Sequence, residues 1–321
     1  MKKDVVFGID IGGTYTKYGI VDKDGKSYRE DKMSTSVTDN VEEYLDYLCK
    51  SLNEMLNSIE EDVVLKGIGI GAPNGNYHMG TIEHAPNLQW KGIVPFTKLM
   101  SKYFDVPIVL TNDANAATIG EMVYGSAKNM KDFIVITLGT GLGSGLVVNG
   151  RLVYGHDGFA GELGHTIVKL SGRQCGCGRR GCLETYVSAT GIKRTIFKLL
   201  SENTIDSDLR YISFDKLESK MIHQAAMKGD KIALQAFDFT AQILASKLAD
   251  AVAHTSPEAI FLLGGLAKSG DYLFEPTRIY LEKKLFPIYK NKIKLLPSGL
   301  TDKNAAVMGA AGLIWKEIEM Q

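Results

Sequence analysis

Residues 133–155 read FIVITLGTGLGSGLVVNGRLVYG, and residues 5–28 read VVFGIDIGGTYTKYGIVDKDGKSY. Both follow one plan: an apolar strand, a glycine-rich turn, a second strand, a hairpin dipeptide and a third strand. The segment Asp10-Ile11-Gly12-Gly13-Thr14 lines up with Thr137-Leu138-Gly139-Thr140-Gly141, and Asp24-Gly25 lines up with Asn149-Gly150. An internal repeat of this kind predicts two related α/β domains, each offering a glycine turn. Two such turns facing across a cleft would hold the two ends of a triphosphate through backbone N–H groups. Taken singly, either hairpin needs glycine only for a positive φ. The pairing is what points to phosphate.

Outward from the repeat, apolar residues at 41, 45, 48, 52, 55 or 56, and 59 mark one face of a helix, with Asp39 as its expected cap. Cys49 lies on that apolar side and reads as a core thiol. Short strands follow at LKGIGIG and VPIVLTN, and a helix opens near Asp113. Residues 216–255 read as two helices broken at Gly229-Asp230. PEAIFLLGGLAKSG is a buried strand ending in Gly264-Gly265, a third place for close approach to a nucleotide. A final helix, from about Asp302 to Glu319, carries a stripe of small residues suited to packing on a sheet. No G-x-x-x-x-G-K-[ST] loop occurs, and GIGIGA at 67–72 is followed by Pro73 and no helical pattern, so neither standard nucleotide loop applies.

The bulk numbers bound the function. The chain has 321 residues, with 37 basic and 37 acidic side chains, which leaves no electrostatic footprint for nucleic acid or an anionic membrane. The densest basic region, residues 283–303, is interleaved with apolar residues and reads as a solvated face. Lys2 and Lys3 precede an apolar run that Asp10 interrupts too early for a signal peptide or a membrane span. A cytoplasmic location is expected. Thiols there stay reduced, so clustered cysteines favour metal over disulfides.

CGCGRRGCLE, residues 175–184, holds three of the four cysteines, and GELGH ends at His165, ten residues upstream. His165, Cys175, Cys177 and Cys182 form a Cys3His set suited to tetrahedral zinc, with no position left open for water. A Cys-x-Cys redox pair would leave Cys182 and His165 unexplained. Glu162 and Glu184 flank the ligands, so a metal clamping His165 to Cys182 would bring two carboxylates together. Paired acceptors of this kind suit a polyhydroxylated ligand, and a second ring N–H of His165 would add a donor. The plainer alternative pairs the two glutamates with Arg179 and Arg180 near the surface. Asn112 and Asp113 stand at the carboxyl end of a strand and the start of a helix, where ligands gather in α/β sheets. Asp113 there is either a general base or a helix cap, or both. Asp10, before Gly12-Gly13, is placed to orient Mg2+ or its waters.

DIGGTYTK, LTNDANAA, LGTGLGSG, GELGH and CGCGRRGCLE, in this order, resemble a sugar kinase of the repressor–ORF–kinase (ROK) family, glucokinase-like branch, over residues 5 to about 315. The resemblance implies the actin/hexokinase-like fold: two ribonuclease-H-like α/β domains round a cleft, with a zinc knuckle. The first domain would span residues 1–112 plus 303–321, and the second residues 113–302. It implies phosphorylation of glucose, at the 6-hydroxyl, with Asp113 as base. Asn74, Gly75, Asn87, Asn112, Asp113, Glu162, His165 and Glu184 would contact the sugar. Asp10, Gly12, Gly13, Thr14, Lys17, Thr140, Gly141, Gly264 and Gly265 would contact ATP and Mg2+, and a homodimer is implied. One segment departs from the pattern: Ala72-Pro73-Asn74-Gly75-Asn76 stands where the family carries Ala-Pro-Gly-Pro. That leaves mannose, fructose and the N-acetylhexosamines as alternatives to glucose. The family's repressors carry an N-terminal helix-turn-helix, and with only seven residues before Gly8 none is expected here. A sugar sensor without turnover is the other competing class, and Asp113 argues against it.

Overall fold

The sheet order repeats as the sequence does. The computed structural model describes residues 2–300 and 304–320, and the chain separates into two units. The first gathers Met1–Met130, Leu152–Ala160 and Gly299–Gln321; the second gathers Lys131–Arg151 and Gly161–Ser298.

The first unit is built on β1 (Lys3–Ile11), β2 (Tyr15–Asp22), β3 (Ser27–Ser34), β4 (Val63–Ala72) and, after a small sheet of β5 (Gly75–Asn76), β6 (Thr81–Glu83) and β7 (Ile93–Val94), β8 (Ile108–Asn112). Its main sheet runs in the order β3-β2-β1-β4-β8. The strand β1 pairs antiparallel with β2 and parallel with β4, which pairs parallel with β8. Covered on both faces, β1 is buried almost end to end, as a central parallel strand should be. On one face, Phe7, Ile9, Ile68 and Ile70 pack against Tyr44, Leu48 and Leu52 of α1 (Val41–Asn57). Each such side chain contributes roughly 1.5–3 kcal/mol by leaving water. Cys49 is a core thiol there, pushed up to about 12 by burial. The cap of α1 is Asn40 and not Asp39: its side chain accepts from the N–H groups of Glu42 and Glu43. Sequence alone places two good caps side by side, and the chain's entry angle selects one.

The other face of the sheet carries the C-terminal helix, Ala305–Met320, whose Val307, Ala311 and Ile314 meet Val6 and Val21. Its expected start at Asp302 and Lys303 lies outside the described residues. A Cβ on Gly69 would collide with the backbone of this helix at Ala310, so the small-residue stripe does bring helix and sheet into backbone contact. The helix α3 (Asp113–Tyr124), which follows the short α2 (Phe96–Met100), packs on it just as closely: Gly309 faces the Ala116 carbonyl. This packing keeps α3 in the first unit, so the chain divides after Met130 rather than after Asn112. Both tryptophans, Trp90 and Trp315, are buried in this unit, and neither indole N–H has an acceptor among the described residues.

The second unit repeats the plan. The strands β9 (Phe133–Leu138), β10 (Leu142–Val148), β11 (Arg151–Leu152), β12 (Ala259–Leu263) and β13 (Lys294–Pro297) run in the order β11-β10-β9-β12-β13. Here too the strand before the glycine turn pairs antiparallel with its hairpin partner and parallel with the next, β12. Asn149 (φ 53°) and Gly150 (φ 73°) both take the left-handed conformation of a tight two-residue hairpin. The first hairpin is looser: only Gly25 in it has a positive φ, and Asp22 bonds across it to Lys26. The unit's helices are α4 (Ala189–Glu202), α5 (Ser219–Met227), α6 (Lys231–Thr255) and α7 (Asp271–Lys284). As the sequence indicates, the chain breaks at Gly229-Asp230, and Asp230 caps α6 through the Ala233 N–H at 2.8 Å. Alanines 233, 236, 241 and 245 let α6 lie close within the core. Among the described residues, no helix is long and apolar enough to cross a membrane.

Candidate functional site

In the first unit the glycine turn closes through Gly12 N–H to the Tyr15 carbonyl, 3.0 Å, leaving Gly13 and Thr14 exposed. Asn87 lies beside this turn: a Cβ on Gly13 would stand 3.1 Å from the Asn87 Cβ. Lys17 sits opposite Asp10 on the neighbouring strand. The absent side chain of Gly71 opens the space between the two aspartates, since its Cβ would lie 3.6 Å from Asp113 Cα and 3.9 Å from Asp10 Oδ1. Burial raises the Asp10 carboxyl to about 6, the Asp113 charge adds to the rise, and Lys17 opposes it.

The head of α3 divides two tasks between neighbours. Asn112 Oδ1 accepts from the N–H groups of Ala114, 2.7 Å, and Asn115, 3.3 Å, and so is the cap. Asp113, at the first helical position, is exposed. The protein packed round its carboxyl nevertheless pushes it above the usual range, against the opposing pull of the Ala114 N–H. The cap role open to Asp113 on sequence therefore belongs to Asn112, whose Nδ2 is left as a donor. Asn74 adopts φ 51°, and its Nδ2 donates to the Glu83 carbonyl at 2.9 Å. Gly75 is buried against the Thr111 backbone.

In the second unit the turn at Gly139–Gly141 leaves Thr140 exposed. Glu184 lies where a side chain on Gly141 would go, and its Oε2 accepts from the Leu142 N–H at 3.1 Å. Gly264 (φ 103°) follows β12 and crosses the Leu138 backbone, with Gly265 exposed beside it. Thus the second and third glycine turns and one of the paired carboxylates gather at one end of this sheet. Glu162 precedes a short 3-10 turn, Leu163–His165, fixed on both sides by Ser144, whose Oγ bonds the Gly161 carbonyl and accepts from the Leu163 N–H. Ser144 carries no sequence signal for this, because the contact spans seventeen residues. Arg179 donates to the His165 carbonyl at 2.9 Å, which favours a structural tie over an ion pair with either glutamate.

His165, Cys175, Cys177 and Cys182 present ligand atoms that all lie within 4.8 Å of one another. His165 Nδ1 is 3.7 Å from Cys175 Sγ, and Cys177 Sγ is 3.6 Å from Cys182 Sγ. A tetrahedral site with metal–sulfur bonds of about 2.3 Å has edges of about 3.8 Å, so these spacings fit zinc. All four cysteines are free thiols. Burial pushes Cys175 up to about 12, while at Cys177 the upward effect of burial is outweighed by hydrogen bonds from Arg179 and the neighbouring thiols, bringing it to about 6. A cluster that already favours one thiolate is suited to a metal cation. With Nδ1 turned to the sulfurs, Nε2 faces Glu162 Oε2 at 4.0 Å.

Two α/β units sharing one sheet order, with glycine turns next to carboxylates, define a two-sheet fold of the hexokinase-like class. The chain belongs to the ROK family, whose model matches residues 6–317. It is 33% identical to a glucokinase of Thermotoga maritima over 99% of both chains. Its structure matches that of a ROK family glucokinase from Streptomyces griseus, solved in complex with glucose and AMPPNP, with a TM-score of 0.81, 31% identity and coverage of 96% and 98%. A xylose repressor of Caldicellulosiruptor bescii is 28% identical over 98% of this chain and 79% of its own length.

Proposed function

We propose that this ROK-family enzyme is an ATP-dependent hexose kinase that phosphorylates glucose at its 6-hydroxyl. The observation that carries the reading is the division of labour at the head of α3. Because Asn112 caps the helix through Ala114 and Asn115, Asp113 shares only the Ala114 N–H, through Oδ1, and its second carboxylate oxygen is left to act as base. The proton of the attacking hydroxyl passes to an Asp113 oxygen as the sugar oxygen bonds to the γ-phosphorus, and the bond to the ADP oxygen breaks. Asn112 Nδ2, Asn87, Asn74, Gly75, Glu162, Glu184 and His165 Nε2 are the groups that accept from and donate to the sugar's hydroxyls in this reading.

Gly13 and Thr14, in the turn that the Gly12 N–H closes, and Thr140 and Gly141 offer backbone N–H groups to the phosphates, and Gly264 and Gly265 leave room for the nucleoside. Asp10, with Lys17 beside it, would hold Mg2+ or its waters, which would supply neutralisation of the triphosphate charge. His165 and the three thiols would hold zinc as a closed structural site that keeps the Glu184 and His165 side chains in register. The similarity to glucokinases supports glucose over other hexoses, and the similarity to a xylose repressor keeps a sugar sensor as the competing reading. An ADP-release assay with Mg·ATP across a panel of hexoses and N-acetylhexosamines tests the proposal. Preferred turnover of glucose is expected; turnover of none would return the sensor.

A further inference from the structure

From Leu152, the last residue of β11, the chain makes a nine-residue excursion, Leu152–Ala160, that belongs to the first unit although the segments on either side belong to the second. A buried side chain anchors it. Asn76 is only 4% exposed, and its Nδ2 donates both to the Asp157 carbonyl, 3.0 Å, and to Glu83 Oε1, 3.0 Å. Its Oδ1 accepts from the N–H groups of His78 and Met79. A buried amide with both ends satisfied is rigid, and stripping one partner leaves the other unpaired at a cost. Two further contacts close over it: Tyr77 stacks on Tyr154 at 4.0 Å and 6°, and His78 Nε2 meets the Gly155 carbonyl at 3.1 Å.

Glu83 connects this clasp to the candidate sugar loop. Its side chain takes the Asn76 donor, and its carbonyl takes the Asn74 donor. Asn74 is held in a left-handed conformation that a loosened loop would not keep. The geometry points to Asn76 as a positioning residue for hexose recognition: it braces the Asn74–His84 loop against the 152–160 excursion and thereby sets the pose of Asn74. This rests on the hexose-kinase reading for the ligand, but not for the clasp itself. The side chain at position 76 acts through Glu83 and need not touch the sugar.

The test uses the full-length protein and two variants that open the clasp from opposite sides. Asn76→Asp keeps the acceptor for His78 and Met79 but sets a carboxylate against Glu83 and the Asp157 carbonyl. Gly158→Ala leaves Asn76 intact and drives a methyl into it, since that Cβ would stand 2.6 Å from Asn76 Oδ1, at a φ of 89°. Amide exchange read by mass spectrometry is expected to accelerate over residues 74–84 and 152–160 and to stay unchanged over α6. Glucose KM is expected to rise about tenfold or more, with kcat and the KM for ATP within about threefold, as misplacing a binding group should do. Unchanged exchange over 152–160 in both variants overturns the clasp. Accelerated exchange with glucose KM within about twofold overturns the positioning role. Should the unaltered protein turn over no hexose, the kinase reading falls by itself. Calorimetric glucose binding then decides the positioning role, and equal Kd values in variant and parent overturn it. If Asn76→Asp does not fold, the same readings on Gly158→Ala decide both points.

Discussion

Asp113 and Asp10 face the same small space and are tuned alike, but they are asked to do different things. Asp113→Asn keeps the side chain's size and leaves the cap to Asn112, so folding and glucose binding should survive. Losing the base should lower kcat by about 10²–10⁴-fold, with glucose Kd, read by calorimetry, changed far less. A kcat within about threefold of the parent would refute the assignment. Asp10 lends itself to a stability measurement. Its carboxyl is raised to about 6 from an ordinary value of 3.8, chiefly by burial. A raised carboxyl ionises in the unfolded chain first, so its penalty is absent below about pH 4, grows between the two values and is complete above about pH 6. Asp10→Asn should therefore raise the melting temperature at pH 7.5, and the gain over the parent should shrink as pH falls from 6 to 4. A gain independent of pH, or a loss at pH 7.5, would contradict this origin. The variant should also bind Mg·ATP less well.

What could be read from residues alone at this scale was that His165 and the three cysteines would cluster, because a Cys3His spacing has few other uses. The choice between adjacent caps was not readable: Asn40 over Asp39 and Asn112 over Asp113 depend on which way the chain enters the helix. Nor was the seat of Glu184 under Gly141, since a contact across 43 residues leaves no trace in local composition.

Among the elements, the glycines of the sheet decide which helix can lie upon it. Gly69→Ala would press a methyl into the backbone of the C-terminal helix at Ala310. We expect it to destabilise the protein by about 1–3 kcal/mol in denaturant unfolding, the usual cost of overpacking. Gly265→Ala makes the converse case, for nothing stands within 4 Å of its Cβ. Stability should hold, while a methyl in the space proposed for the nucleoside should raise the KM for ATP several-fold. An unaltered KM would remove Gly265 from the nucleotide site. Apolar periodicity and the Asn-Gly and Gly-Asp punctuation located β1–β4, β8–β12 and the helices α1, α3, α5, α6 and the last one, but not β5–β7, β13, α2, α4 or α7; the small-residue stripe of the last helix disclosed how closely it would pack. The 152–160 excursion stayed hidden, because its two glycines and single tyrosine carry no periodicity and its partners lie some eighty residues away.

At the scale of the whole molecule, the repeated strand–turn–hairpin pattern becomes two sheets of identical strand order. That much was legible, since each copy keeps its strand, turn and hairpin. The points at which the chain passes from one unit to the other were less so, because helix packing, not sequence similarity, assigns α3. All four candidate zinc ligands belong to the second unit. Purified protein should carry about one zinc per chain by elemental analysis, and Cys177→Ser should lose it together with affinity for glucose. Less than about a tenth of an equivalent in active, chelator-free protein would exclude the metal.

The chain's two tryptophans, Trp90 and Trp315, both lie in the first unit. Intrinsic fluorescence excited at the red edge is therefore a private signal of one half of the protein, blind to the half that holds the thiols. Circular dichroism at 222 nm draws on both halves, with the long α6 a large share of it. A chelator should shift the dichroism curve to lower temperature while the fluorescence curve lags behind, so the gap between two optical probes becomes a gauge of how far the halves melt as one.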